Sequence, residues 1–461
     1  MRILHYSLGF PPARRGGMTA YCLDLIDNQS LSGHDVSLIW PGSLMGKNAR
    51  CAVVKAKPYS LSSGGICNSF AIRNPLPVPL VDGIADPSWQ LIGKDISVFD
   101  RFFEKNHFEI LHLHTLMGLP RELPQAAHRN GVRVVFTTHD YFALCGKLIL
   151  YRNGDVCLED RGCKNCCACN SQGLSAGKMR VLQSPLYGWL KETKIVRQLR
   201  RNHNERINEE ESPNGPAEKD LGLASQYAML RSLNVKLLNN LDQILFNSSL
   251  TKEIYERYGV DNPKSSILHV SNSEITDRRA PVHIVANPIL KIGYFGGSTN
   301  HKGRGLLVDV CDSLWENGIR NFQLHFFGNY VVDRPYAVAH PPFSRSDLAR
   351  VMQEIDFAVI PSKWYETFGF VTSESMSFGR PVVVSDRVGA KDLVIDGVNG
   401  RVFDSTTSNF YEVLCDIVRN PHMVERYSKW ICSHDTPYTM EHHAQDVEQI
   451  YRGLLAHSSK Y

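Results

Sequence analysis

Residues 361–403, PSKWYETFGFVTSESMSFGRPVVVSDRVGAKDLVIDGVNGRVF, restrict the fold more than any other stretch of the chain. A Thr-Phe-Gly step leads into a helix-like run over 370–378. Gly379 suits the left-handed conformation that ends a helix, and the β-branched run 381–385 reads as a buried parallel strand. A loop, helix and strand in this order turn the helix N-terminus toward the crevice where α/β proteins bind ligands. The N–H groups of Phe368, Gly369 and Phe370 then offer an anion site, favoured by the helix dipole. Glu366 lies just before that site and Glu374 about a turn and a half into the helix. A diphosphate with a sugar at each end fits two acids so arranged: one meets a group beyond the phosphates, the other a polar group on their near side.

Elsewhere β and α patterns alternate, which argues for α/β architecture with parallel sheets covered by helices. Strands are expected at 2–7, 35–40, 109–114, 132–138 and 243–247, then in a second series at 291–295, 322–327, 356–360 and 381–385. The stretch 273–288 is polar and carries two prolines, which makes it the expected linker. A chain of 461 residues is long enough for two or three domains of about 150 residues each. The expected division is 1–280, 281–435, and a C-terminal helix within 436–461 that returns to the first domain. Two facing doubly wound domains leave a ligand cleft between them. Residues 202–222 are polar and read as a loop.

The acid pair and its surroundings resemble the donor-binding motif of retaining glycosyltransferases of the GT-B fold, especially glycosyltransferase family 4. The match comprises Glu366, Phe368, Gly369, Glu374 and Gly379-Arg380-Pro381-Val382-Val383, with the tail Asp396-Gly397-Val398-Asn399-Gly400. The resemblance implies two Rossmann-like domains around a cleft, an acceptor side in 1–280 and a nucleotide-sugar side in 281–435. It implies transfer of a sugar, with retention, from a UDP- or GDP-sugar to an acceptor hydroxyl. The expected setting is cell-surface polysaccharide or glycolipid synthesis. In this reading Glu366 holds sugar hydroxyls, and Glu374 holds the ribose. Lys302 with the Thr367–Phe370 backbone stabilises the leaving diphosphate. Gly16 and Gly17, after the first strand, approach a phosphate or an acceptor closely.

His139 ends a strand as Thr137-Thr138-His139-Asp140-Tyr141, and the resemblance turns it toward the transferred sugar. The family's second diphosphate cation, an Arg shortly after the 291–295 strand, has no clean equivalent, because Arg304 comes two residues late. No paired-carboxylate metal motif is needed, so metal-independent chemistry is expected. Two rivals share the motif: another GT-B enzyme such as a nucleotide-sugar epimerase, and a non-catalytic protein that binds nucleotide-sugar.

The segment 145–169 holds Cys145, Cys157, Cys163, Cys166, Cys167 and Cys169, half of the twelve cysteines. The Cys163-x-x-Cys166 and Cys166-x-x-Cys169 spacings suit a tetrahedral zinc. Cys145, Cys157, Cys163, Cys166 and Cys169 are therefore candidate ligands of a structural zinc. Residues 178–206 mix basic residues with Leu186, Tyr187, Trp189, Leu190, Ile195 and Val196, a candidate peripheral contact with an anionic membrane surface and a lipid-linked acceptor. A formal net charge of +4 is too small to indicate nucleic acid as a partner. The start of the chain lacks the apolar core of a signal peptide, and no run approaches the ~20 apolar residues of a membrane span. The expected compartment is the cytoplasm, at most peripheral on the inner face of the membrane.

Overall fold

A computed structural model describes residues 1–79, 83–158, 162–171, 173–184, 221–286, 288–297, 299–328 and 333–456, with Tyr187 and Thr193 singly between 184 and 221. Two sheets organise it. The first is built from β1 (Arg2–Tyr6), β2 (Asp35–Pro41), β3 (Ala52–Lys55), β4 (Tyr59–Ser60), β5 (Ile66–Arg73), β6 (Ile110–Leu113) and β7 (Arg133–Thr137). A separate hairpin, β8 (Tyr151–Arg152) and β9 (Asp155–Val156), follows, and β10 (Gln243–Phe246) and β11 (Ser265–Ile267) complete the first sheet. Its order is β11-β10-β7-β6-β1-β2-β5-β3, with β4 beside β5. Pairing is parallel from β11 to β5, and only β3 and β4 run against β5.

The second sheet contains β12 (Leu290–Tyr294), β13 (Phe322–Phe327), β14 (Ala337–His340), β15 (Phe357–Ile360), β16 (Val382–Ser385) and β17 (Gly400–Phe403). Its order is β14-β13-β12-β15-β16-β17, and every pairing is parallel. All nine strands expected from the sequence are present, each end within one residue. They are the strands covered on both faces, which therefore read as continuous apolar runs; β6, β15 and β16 are buried at every position. The short or edge strands β3, β4, β11, β14 and β17 carry no such signal, nor does β5, whose buried and open positions mix.

The core is continuous between the two halves. Tyr21 and Leu25, on the helix Gly17–Leu31, share one apolar cluster with Phe368, Met376, Met440 and Ala444. Residues 273–286 run along the second half: the Arg278 N–H donates to the Ser377 carbonyl (3.0 Å) and the Val282 N–H to Ser428 Oγ (2.8 Å). The last helix, Met440–Ala456, lies on the first sheet, where Val447 and Tyr451 pack with Ile3, Ile110, Val135 and Leu245. The Asn153-Gly154 turn of the β8–β9 hairpin has both residues at positive φ, 51° and 81°. Asp155 beyond it is ion-paired to Arg387 of the second half (2.8 Å).

Most of the basic segment 178–206 lies outside the described residues, as do 202–220 and 457–461. Among the described residues no helix is long and apolar enough to cross a membrane.

Candidate functional site

The C-terminal ends of β7, β12 and β15 converge on one place. After β15 the chain turns at Pro361 and reaches Glu366, whose backbone bridges Val388: its N–H donates to the Arg387 carbonyl and its own carbonyl accepts from Gly389 (both 2.9 Å). This pins the acid before the helix Phe370–Ser377. Gly369 caps that helix at φ 98° with no side-chain cap, and a Cβ there would lie 2.7 Å from Val388 Cγ1. The first N–H groups of the helix thus depend on something other than a capping side chain.

Lys302 arrives from the loop after β12. Its Nζ donates to Glu366 Oε1 at 2.6 Å, while Ser362 Oγ donates to Glu366 Oε2, also at 2.6 Å. The Lys302 ammonium also stands 5.2 Å from the centre of the Trp364 ring. Gly303 sits at φ 76°, and a Cβ on it would run into the Pro361 carbonyl. The Lys-Gly pair is therefore a packing requirement as well as a charge. Burial alone would raise the Glu366 carboxyl. The Lys302 ammonium, the Ser362 hydroxyl and His301 outweigh it and hold Glu366 below the ordinary glutamate range.

Glu374 lies along the same helix and accepts from Asn272 Nδ2 (2.9 Å). Burial pushes this carboxyl up, against Asn272 and Arg345. Gly17, at the start of its helix, faces the same place from the first half, where a Cβ would lie 3.9 Å from Phe370 Cε2. Gly16 caps that helix at φ 128°, open within 4 Å. The His139 carbonyl accepts from Thr367 Oγ1 (3.3 Å), and Ser248 Oγ donates to the Thr367 carbonyl (2.7 Å). The His139 ring packs on Tyr21 with centroids 4.4 Å apart. Burial, reinforced by His443, pushes its pKa down to about 3, so the ring is neutral at pH 7. Its Nε2 is buried with no hydrogen-bond partner among the described residues.

Direct contacts thus link Lys302 with Glu366, Thr367 with His139, and Gly17 with Phe370, along the segment 366–370 where the two halves meet, with Glu374 further along the helix. Phe368 contributes only backbone there, because its side chain is in the core beside His269. Sequence reasoning missed Ser362 and Asn272, the partners of the two acids. Ser362 had a signal, four residues before Glu366; Asn272 had none. Ser248, which reaches the Thr367 carbonyl, also caps the helix Ser249–Arg257 in a capping box with Thr251.

None of the twelve cysteines is in a disulfide. Cys163 caps the short helix Lys164–Cys169 at φ 67°, and its sulfur hydrogen-bonds Cys166; this sharing holds Cys163 down and pushes Cys166 up. The Arg231 guanidinium stands 3.8 Å from Cys166 Sγ. Cys145 and Cys169 also lie near enough to Cys157 and Cys166 to act on their thiols electrostatically. The triplets of potential metal-ligand atoms within 4.8 Å of one another among the described residues are His5–Cys22–His114 and His325–His340–Glu354.

The chain is similar to known proteins. Residues 289–420 match the family model described as glycosyl transferases group 1, and residues 15–157 match that of glycosyltransferase family 4. The chain is 47% identical over 60 residues to a D-inositol 3-phosphate glycosyltransferase of Mycobacterium marinum (strain ATCC BAA-535 / M), 13% of each chain. It is 26% identical over 230 residues to one of Thermobifida fusca (strain YX), 47% of this chain and 48% of that one. The chain therefore spans less than half the length of these curated relatives. Among solved structures, sucrose-phosphate synthase of Thermosynechococcus elongatus superposes with TM-score 0.58 at 14% identity, covering 99% of both chains. Anabaena HepE in complex with UDP gives 0.57 at 13%, covering 98% of this chain and 100% of that one. At such identities the likeness is one of fold.

Proposed function

We propose that this chain, which belongs to the GT-B glycosyltransferases of the family 4, group 1 kind, transfers a sugar from a nucleotide-diphosphate sugar to an acceptor hydroxyl with retention of configuration. The observation that carries the reading is the Lys302–Glu366–Ser362 cluster beside the uncapped start of the helix Phe370–Ser377. A cation and a helix N-terminus at one point suit a departing diphosphate. Lys302 then turns from Glu366 to the phosphates, and the carboxylate is released toward sugar hydroxyls near the reacting carbon. Glu374 takes the ribose hydroxyls. His139, neutral and with a buried unpartnered Nε2, bonds a hydroxyl of the transferred sugar from the opposite wall. Gly16 and Gly17 let the first half close on the phosphates without side chains in the way.

A UDP-sugar is the donor tried first, since HepE was solved with UDP; a GDP-sugar is the second. The relatives are named for a phosphorylated inositol, so polyol acceptors belong beside glycans and glycolipids in the panel. The deciding variant is Glu366→Gln, which keeps the shape and removes the charge. Its kcat should fall at least about 100-fold, with nucleotide affinity and melting temperature close to the parent's. Undiminished kcat overturns the assignment of Glu366.

A further inference from the structure

A cavity of about 1070 Å³ lies in the first half, between the helix Ser97–Asn106 and the edge formed by β3 and β5. Lys47, Arg50, Lys55, Lys94, Arg101 and Lys105 line it, against a single carboxylate, Asp95. The whole chain has an excess of only four positive charges, so this is a local concentration of charge. Lys47 donates to Ser88 Oγ (2.9 Å) and Arg101 to Ser97 Oγ (3.2 Å). Among the described residues no carboxylate is in ion-pair range of any of the six. Lys94 is half-buried, and burial pulls its ammonium down. The floor is mixed: Ser37 and Asn68, paired across β2 and β5, lie beside Phe70, whose ring packs on Phe102 with centroids 5.0 Å apart.

Arg2, which opens β1, and Phe108, just before β6, also line the cavity, so it sits at the N-terminal ends of the parallel strands. His139 and Glu366 stand at the C-terminal ends. A strand of five residues separates the two levels by about 15 Å, so a ligand here is not a reactant at the cleft.

We propose that this cavity is a docking site for a soluble oligoanion, a molecule carrying several phosphate or carboxylate groups. Clustered unpaired cations in a concave, low-dielectric wall focus a positive potential. The volume reaches the upper end of small-molecule sites, and the Ser37 and Asn68 floor supplies neutral hydrogen-bonding groups between the charges. A planar anionic bilayer would meet the rim lysines and leave that floor untouched; a soluble ligand reaches both. The assignment is independent of the transfer chemistry.

Inorganic tripolyphosphate is the probe, titrated calorimetrically into the full chain at 100 mM salt. The comparison is the exposed triple variant Lys47→Ala/Arg101→Ala/Lys105→Ala, with Lys94→Ala as a second probe of the wall. The expected result is saturable binding that weakens at least tenfold in the triple variant, while the melting temperature is kept. Lys94→Ala should weaken it in the same sense. No saturable binding, or binding equally tight in the triple variant, overturns the proposal. So does a chain that ignores tripolyphosphate but sediments with phosphatidylglycerol vesicles, which would make the surface a membrane contact.

Discussion

Lys302 and Glu366 are 64 positions apart and meet at 2.6 Å. The contact depends on Gly303, which has to hold φ 76° directly under the Pro361 carbonyl. An alanine there meets both the left-handed strain and the carbonyl. Gly303→Ala should cost about 1–3 kcal/mol and displace the ammonium, so melting temperature and kcat fall together; a variant unchanged in both refutes the packing argument. At this scale the sequence names candidate residues but not their pairing. Spacing and resemblance marked Glu366, Glu374, Lys302 and His139, because loop-helix-strand grammar puts such groups at strand ends. Nothing local indicates that Lys302 rests on Glu366, or that Asn272 holds Glu374, since both contacts are made by the tertiary fold. The cysteines show the converse: Cys163 and Cys166, three apart at the start of a six-residue helix, do pair as their spacing suggests.

Among the elements, strands buried on both faces could be read from sequence, and edge strands could not, because their alternation is diluted by exposure. β5, although paired on both sides, was hidden for a related reason: ICNSFAIR mixes buried and open positions in one strand. What joins neighbouring elements was equally hidden. Asp242, just before β10, accepts from His128 (2.9 Å), from Arg133 (2.9 Å) and from the Val134 N–H (2.8 Å), tying one helix to β7 and β10. Burial would raise this carboxyl, but His128, the Val134 N–H and Arg133 overcome it and bring the pKa to about 2. A folded-state pKa below the unfolded value of 3.8 contributes stability that is full above about pH 4 and is lost as pH falls through 2. Asp242→Asn should therefore lower stability at pH 7 by about 1–2 kcal/mol, with allowance for screening. In urea unfolding the gap between variant and parent should hold at pH 5 and narrow between pH 4 and pH 2. A gap that stays constant with pH means that the ionised form is not what matters.

At the scale of the whole molecule, the two halves are joined by more than the cleft. The Ser249 N–H and His269 both reach Asp392 across the boundary (2.6 and 3.3 Å), and Arg345 meets Asp24 (3.4 Å). The last helix adds a covalent constraint, because it follows the second sheet in sequence yet covers the first. Tyr21 Oη and His443 Nε2 are hydrogen-bonded at 2.7 Å, and Val447 is fully buried among Ile3, Ile110, Val135 and Leu245. The first sheet therefore finishes its core with residues that follow the second half along the chain, and it cannot be completed until the second half has emerged. A charge at Val447 tests this directly. Val447→Asp places an unpaired carboxylate in an apolar cluster, which costs about 3 kcal/mol or more. If the helix is part of the first half's core, the loss falls on that half. Calorimetry should then show a single transition in the parent and, in the variant, an earlier transition for the first half with the second half near its original temperature. A variant that melts as one unit at the parent's temperature would mean that the helix only rests on the sheet and stabilises nothing there.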